Sequence, residues 1–297
     1  MSRSSHAILA FLLPWLALCL LACDGSEGTL VVRHDGAPGG GTAGGTAGGT
    51  AGGGPGTAKN PYVPPVDVRW WADLDGPADI AEDAELFYLD AELQDPDDLA
   101  TLRAQGRHYY CYLSGGSLEG FRDDAGDFPA SAIGNALADY PRERWLDVRD
   151  SAVRTLMARR VTRLAELGCE GVPPSSLAVH AADTGFDLSE MDALDYARWL
   201  AERLHAAGMA AGLTAPLELT SELWPTFDFG LGIACVADTA CAEYAPFERA
   251  KKTVLHVEIG DADAAPDLCN ASKALGFSAL VSDPGFTGRG IACSDLP

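Results

Sequence analysis

Apolar segments that are typical of buried β-strands alternate with helical patterns over most of the chain. Eight such strands are predicted, at residues 68–74, 86–89, 108–113, 171–179, 209–214, 229–236, 253–258 and 277–281. Alternation of this kind is typical of a parallel α/β fold. Eight strands with interleaved helices predict a TIM (β/α)8 barrel, in a single domain of residues 67–297. A doubly wound sheet is the alternative, and it fits the number of strands less well.

Two long helices are the clearest of the connecting elements. Residues 152–167 carry apolar side chains near helical spacing, with Ser151 expected as the N-terminal cap and Gly168 as the stop. Residues 191–207 show the same pattern and end before Gly208. In a barrel built this way, the residues that end each strand face a common mouth, where function is expected.

The first residues are predicted to form a targeting segment rather than part of the fold. Arg3 precedes an apolar run over residues 7–22 that is short for a membrane span and leads into the letters LLAC. This ending predicts a bacterial lipoprotein signal at residues 1–22 and lipid attachment at Cys23, with an ordinary secretory signal as the alternative. A dual acyl anchor on Cys23 would hold the protein on a membrane. The expected location is the bacterial cell envelope, outside the cytoplasm.

The segment that follows, residues 23–66, has a composition unlike that of the rest of the chain. Its Gly-, Thr- and Ala-rich repeats contain no side chain large enough to build a core, so a disordered linker is expected. A flexible coil of about 42 residues has a mean reach of about 35 Å. Such a linker would separate the folded domain from a membrane surface.

Six cysteines remain beyond Cys23, and an even number in an exported protein favours disulfides. Many connectivities are open, and the expected pairs are Cys111–Cys169, Cys235–Cys241 and Cys269–Cys293. The second of these pairs is the most secure, because its members are close in sequence. We find no zinc-binding spacing, and nothing in the sequence indicates a nucleotide, haem or metal cofactor.

The chain is strongly acidic, with a formal net charge of −22. This charge argues against nucleic acid and anionic lipid surfaces as partners. It would attract a polycation over a Debye length of about 10 Å. Solubility alone also explains an acidic surface, so the charge is compatible with a cationic polysaccharide without requiring one.

Residues 108–149 contain the most informative motifs. They read HYYCYLSGGSLEGFRDDAGDFPASAIGNALADYPRERWLDVR, in which a strand-like run leads into a glycine turn and then into polar and aromatic residues. This resembles glycoside hydrolase family 114, the endo-α-1,4-polygalactosaminidase-like proteins, whose wording is close to CYFSAGSxExWRxDxxDFP followed by ERWLDIR. The resemblance extends from about Val68 to the C-terminus. It implies a TIM barrel that hydrolyses O-glycosyl bonds in an amino-sugar polysaccharide, such as a cationic galactosamine polymer.

The resemblance also implies where the catalytic carboxylates should stand, at the ends of barrel strands. One family segment, close to GVEPDNVDGY, aligns with residues 171–180. There the family's Glu falls on Pro173 and its second Asp on Ala178. Its Asp-Asn pair falls on Ser175 and Ser176, whose hydroxyls do not replace a carboxylate at neutral pH.

A second catalytic segment of the family is altered as well. Its letters NEQC align with residues 232–235, so its Glu is replaced by Ile233. A third segment, with Lys and Asn after the fifth strand, falls on Thr214 and Ala215. No family carboxylate is retained at these positions, and the inherited hydrolytic mechanism is expected to be lost.

Polar and aromatic residues around the expected mouth match the family better. Trp70 and Trp71 close the first strand, where the family has a tryptophan-rich segment. An exposed indole face there would stack on a sugar ring, although at least one of the two is expected to pack in the core. The substrate-binding residues predicted from the strand ends and the following loops are Trp71, Asp90, Tyr112, Ser114, Arg122, Asp123, Glu258 and Asp283.

Three functions are open from the sequence. The first is a carbohydrate-binding pseudoenzyme that kept the sugar cleft and lost the catalytic acids. The second is an active endo-glycosidase with relocated carboxylates, for which Asp90 and Glu258 are the best pair. A separation of about 5–5.5 Å between them would suit retention, and about 6.5–9.5 Å would suit inversion. The third is a surface scaffold without a ligand, which a mouth filled by Ile233, Leu177 and their neighbours would favour.

Overall fold

The computed structural model describes residues 61–214 and 217–296, without the side chain of residue 217. The strands in this part of the chain are β1 (Trp70–Asp73), β2 (Leu86–Leu89), β3 (His108–Cys111), β4 (Ser117–Glu119), β5 (Ile133–Ala136), β6 (Glu143–Leu146), β7 (Gly171–Val172), β8 (Ala210–Leu213), β9 (Phe229–Ile233), β10 (Val254–Ile259), β11 (Ser278–Ser282) and β12 (Ile291–Ala292). The α-helices are α1 (Pro96–Ala104), α2 (Ser151–Leu167), α3 (Glu190–Ala206), α4 (Thr220–Leu223), α5 (Ala245–Arg249) and α6 (Ala265–Ala274).

Eight of these strands form a parallel barrel in the order β1, β2, β3, β7, β8, β9, β10 and β11, and β12 adds to β11 in antiparallel orientation. At the seam between β1 and β11, the Trp70 indole Nε1 donates a hydrogen bond to the Ser278 carbonyl at 2.8 Å. Close by, Asp73 pairs with Thr287 in an isolated bridge. The barrel is nearly closed, and the prediction of a TIM (β/α)8 fold is confirmed.

The barrel strands are buried on both faces, which explains their almost continuous apolar sequence. Trp70 and Tyr110 belong to the apolar cluster inside the barrel. Their neighbours Trp71 and Tyr109 belong to the larger cluster between the strands and the helices. Successive strand residues therefore face different layers, as the pleat requires.

The two long helices begin at well-formed caps. The side chain of Asp150 accepts a hydrogen bond from the Ala152 amide at 2.7 Å. The cap of α2 is therefore Asp150, and the expected cap, Ser151, is the first residue of the helix. At the start of α3, Ser189 and Asp192 form a capping box.

One predicted strand is much shorter than its apolar pattern suggests. The fourth barrel strand, expected over residues 171–179, is the two-residue β7. Pro173 and Pro174 follow it directly, and a proline has no N–H to continue the ladder. The chain pairs again only at an isolated bridge between Ser114 and Ser175. The other barrel strands overlap their predicted ranges and differ by a few residues at their ends.

A three-stranded antiparallel sheet, in the order β4–β6–β5, is inserted between β3 and α2. The sequence pattern does not predict it, because its strands are short and have no sustained apolar alternation. Leu118 and Leu146 pack there with Val153 and Met157 of α2. We call it the insertion sheet, and it forms one wall of the site described below.

Residues 61–66 pack against the end of the barrel where the strands begin. The Tyr62 ring stacks on His108, the first residue of β3, with ring centroids 3.4 Å apart. Thr253 donates a hydrogen bond to the Pro64 carbonyl at 2.5 Å, and Ser278 donates one to the Val66 carbonyl at 2.7 Å. These residues were expected in the linker, so the folded part begins before residue 67. The expected signal segment, Cys23 and the rest of the linker lie outside the described residues.

Three disulfides connect the six cysteines of the barrel in the expected pairs. The Cα atoms are 5.8 Å apart in Cys111–Cys169, 4.8 Å apart in Cys235–Cys241 and 5.2 Å apart in Cys269–Cys293. The first pair joins the end of β3 to the segment before β7. Within residues 61–214 and 217–296, none of the helices has the length and apolar character needed to span a membrane.

Candidate functional site

A cavity of ≈ 580 Å³ opens beyond the carboxyl ends of the barrel strands. It is lined by residues at or just after five strand ends, namely Asp90, Tyr112, Ser175, Thr214 and Ile233. The insertion sheet and the loop after β11 contribute further walls. A TIM barrel keeps its active site at this end, and we call this cavity the cleft.

The cleft has an apolar and aromatic rim. Leu93, Phe121, Tyr140 and Ile233 are four large apolar side chains that expose 39–58% of their surface, and all four line it. They come from four separate segments of the chain. The Arg122 guanidinium lies 4.9 Å from the centre of the Phe121 ring and makes a cation–π contact with one face of that ring. Exposed aromatic faces of this kind are suited to stacking on sugar rings.

Arg122 organises the charged wall of the cleft. It forms ion pairs with Asp90 at 2.7 Å, Glu119 at 2.9 Å and Glu92 at 3.0 Å. Asp90 and Glu119 are each only 3% exposed. Burial alone would lower the pKa of Arg122, but its bonds to Glu119 and Asp90 raise it overall. The guanidinium therefore stays charged and compensates two buried carboxylates.

Glu143 also lines the cleft, and its environment differs from that of the other acids. The β4–β6 pairing places it directly opposite Glu119. Its carboxylate accepts a hydrogen bond from the Ser117 hydroxyl at 2.6 Å. Burial raises the pKa of Glu143, Ser117 opposes the shift and Glu119 adds to it. Glu143 is therefore a half-buried carboxyl group that is more easily protonated than an ordinary one.

Two predicted residues at the end of β3 support this wall. Ser114 is fully buried, and its hydroxyl lies 2.5 Å from that of Ser117. Tyr112 lines the cleft, and burial followed by the charge of Glu119 raises the pKa of its phenol. Tyr112 is therefore a neutral hydroxyl at any pH near 7.

A smaller cavity of ≈ 230 Å³ adjoins the cleft and shares Asp90, Tyr112 and Glu119 with it. Asp123 lines this second cavity together with arginines from α2. Those arginines already have acidic partners, as in the Arg160–Asp124 pair at 2.6 Å. The smaller cavity is therefore polar, and its charges are largely compensated within the protein.

Comparison with known proteins identifies the family. A sequence profile of glycoside-hydrolase family GH114 matches residues 54–296. The chain belongs to glycoside-hydrolase family GH114. No curated protein sequence matches it.

Two solved structures resemble this GH114 barrel. The crystal structure of Aspergillus fumigatus Ega3 in complex with galactosamine is 28% identical, with a TM-score of 0.75, over 80% of this chain and 98% of that one. The glycoside hydrolase domain of PelA from Pseudomonas aeruginosa is 16% identical, with a TM-score of 0.61, over 75% of this chain and 98% of that one. At this lower identity the second likeness shows the shared fold alone.

Two of the four positions where the sequence resemblance led us to expect the family's carboxylates lie in the cleft of the GH114 barrel. Ser175 and Ile233 line it, whereas Pro173 and Ala178 do not. The hydroxyl oxygens of Ser175 and its cleft neighbour Thr214 are buried without a well-formed hydrogen-bond partner among the described residues. The cleft thus holds a hydroxyl and an alkyl group where the family wording has carboxylates.

Three other residues of the GH114 barrel that were predicted to bind substrate do not line the cleft. Trp71 is 8% exposed and packs in the outer apolar cluster, so its indole presents no free face to a sugar. Asp283 accepts hydrogen bonds from Gly285 and Thr287 and so shapes the loop that lines the cleft. Asp123 lines the smaller cavity and does not line the cleft.

Glu258, one of the two fallback catalytic residues, is 1% exposed and is not among the residues that line the cleft. Its carboxylate accepts a hydrogen bond from the Val236 amide at 2.7 Å and lies 2.8 Å from His256 Nε2. Glu258 therefore holds the loop after β9 in place. Asp90, its expected partner, is bound by Arg122 at the cleft.

Glu143 and Tyr140 are cleft residues that the sequence analysis did not select. Glu143 is the first residue of the ERWLD motif, which carries part of the family resemblance. This match could have indicated that Glu143 belongs to the site. Tyr140 had no comparable signal, because it lies in the irregular loop between β5 and β6. Both enter the site through the insertion sheet.

Proposed function

We propose that the protein binds amino-sugar polysaccharide in the cleft and does not cleave it by the inherited GH114 mechanism. The observation that carries this proposal is the pair Ser175 and Ile233, which line the cleft at the family's catalytic positions. Most glycosidases need one carboxyl group to protonate the leaving oxygen and a second as nucleophile or base. Neither an alcohol nor an alkyl side chain performs these steps at neutral pH.

The chemistry of the cleft supports a cationic sugar as the ligand. Asp75, Asp90, Glu119 and Glu143 line it, and Arg142 is the one basic residue among its lining residues. Arg122 pairs with Asp90 and Glu119, and an excess of negative charge remains. The negative potential of such a cleft attracts cations. The similarity to Ega3, whose structure contains galactosamine, supports the same class of ligand here.

The open mouth argues against a scaffold without a ligand. Ile233 exposes 39% of its surface at the rim, and Leu177 is buried in the outer apolar cluster, so neither side chain fills the cavity. A cavity of ≈ 580 Å³ that combines aromatic faces with polar groups is of the size that ligand sites have.

We further propose that lipid attachment at Cys23 holds the barrel at the bacterial cell envelope, outside the cytoplasm. The lipoprotein-like ending LLAC and the Gly-rich segment after it support this location. The three disulfides are consistent with an oxidising compartment.

One observation favours a second candidate, an active endo-glycosidase with relocated carboxylates. The raised pKa of Glu143 is a property of a general acid. Glu119 and Asp90, the nearby acids, are instead paired with Arg122. Such a mechanism would use Glu143 in place of the family's catalytic positions.

The test measures both binding and reducing-end release on partly deacetylated polygalactosamine with the purified full chain. We expect binding without release. The double variant Ser175→Asp, Ile233→Glu is expected to gain release, whereas Ser175→Asn, Ile233→Gln provides the matched control without carboxylates. Release by the unmodified protein that Glu143→Gln abolishes would establish the second candidate. Absence of binding from folded protein would reject the proposal.

A further inference from the structure

The carboxylates of the cleft are unequal in their access to a counter-ion. The five donor positions of Arg122 are all occupied: Nε and one terminal nitrogen bond Glu119, and both terminal nitrogens bond Asp90 or Glu92. No donor remains for Glu143. Asp90 and Glu119 are thus directly paired within the protein, whereas the charge of Arg122 reaches Glu143 only from a distance and without a hydrogen bond.

No other basic group pairs with Glu143 in the part of the chain that the structure describes. Arg142 is its neighbour in sequence and also lines the cleft, yet it forms no ion pair there. The Ser117 hydroxyl is the one group seen to donate to the Glu143 carboxylate. The facing residue across the sheet is Glu119, which carries the same charge.

A half-buried carboxylate opposite another carboxylate is poorly stabilised in its ionised form when no cation bonds it directly. An ammonium group supplies such a cation and also forms a short, charge-assisted hydrogen bond. Ligands reach Glu143, because it lines the open cleft rather than the core. The aromatic rim would hold a sugar ring whether or not its nitrogen is acylated, so it does not select for an amine.

We propose that Glu143 is the residue that distinguishes a free amino sugar from its N-acetylated form, by accepting a hydrogen bond from the ligand's ammonium group. This inference rests on the proposed function, since it assumes that the cleft binds amino sugars. An N-acetyl group would bring a neutral amide to the same carboxylate and lose the charge-assisted bond. Ser117 orients the carboxylate and leaves its second oxygen for the ligand.

The test compares two defined ligands, an α-1,4-linked galactosamine oligomer and the N-acetylated oligomer of the same length. Titration calorimetry on the full chain gives an affinity for each, and their ratio is the preference for the amine. Glu143→Gln keeps the shape of the side chain and an acceptor for Ser117. We expect it to reduce the preference about tenfold or more while affinity for the N-acetylated oligomer changes little.

Glu166→Gln is the matched control, because it removes one negative charge from the exposed face of α2, outside the cleft. It is expected to leave the preference unchanged. An unaltered preference in Glu143→Gln, with an unchanged melting temperature, overturns the inference and leaves the proposed function standing. A wild-type protein that binds both oligomers equally also overturns the inference alone. Failure to bind either oligomer overturns both proposals.

Discussion

The two walls of the cleft present different side chains. The wall formed by the insertion sheet and the ends of β2 and β3 keeps an arginine with buried acidic partners. The wall formed by the ends of β7, β8 and β9 presents Ser175, Thr214 and Ile233. A buried ion pair is hard to change one residue at a time, because each loss leaves an uncompensated charge. A side chain that faces an open cleft without an ion-pair partner is not constrained in this way, because its substitution leaves no buried charge unpaired.

The largest effect that this comparison predicts is on stability. Arg122→Met leaves Asp90 and Glu119 buried without a counter-ion, and we expect it to lower the free energy of unfolding by about 3–5 kcal/mol. Denaturant unfolding measures the change. Arg159→Met is the control, because its pair with Asp127 is exposed on both sides, and it should cost about 1 kcal/mol or less. Equal effects from the two variants would contradict the idea that the wall is retained as a unit.

A smaller effect is expected at the aromatic rim. Tyr140→Ala removes a ring that is 58% exposed at the cleft, so binding of polygalactosamine should weaken by about 0.5–1.5 kcal/mol. Stability should change by no more than about 0.5 kcal/mol. Met191 is 69% exposed and lies outside the cleft lining, which makes Met191→Ala the control for surface truncation. Matching losses of affinity in both variants would remove Tyr140 from the site.

The smallest effect concerns pH. The bond from Arg160 holds the pKa of Asp124 below its ordinary value. Because the pKa is lower in the folded protein, the pair's contribution is fully present above the unfolded pKa of about 3.9. It is lost as the pH falls through the folded value. Asp124→Asn should therefore lose less stability than the wild type between about pH 5 and pH 2. Parallel acid-unfolding curves for the two proteins would contradict this expectation.

Much of the barrel could be predicted from the sequence, because strands buried on both faces leave continuous apolar runs. The insertion sheet could not be predicted, since β4 and β5 are short and their pairing with β6 depends on contacts distant in sequence. The presence of Glu143 in the cleft follows from that pairing. Local pattern carries no information about such a register.

The residues predicted at the mouth of the barrel show a second limit of prediction from sequence. Asp90, Tyr112 and Arg122 lie where the strand ends suggested. Trp71 was predicted to close the first strand, but it is the second residue of β1 and lies near the start of that strand. Glu258 does lie near the end of β10, yet both residues are buried. Successive strand side chains point in opposite directions, so closeness to a strand end does not decide which of them reaches the mouth.

Residues 61–66 enter the barrel at the pole where its strands begin, and the cleft opens at the opposite pole. Any tether attached through this segment would therefore join the barrel at the end opposite the cleft. Residues 61–66 themselves leave the mouth of the cleft open to an elongated ligand.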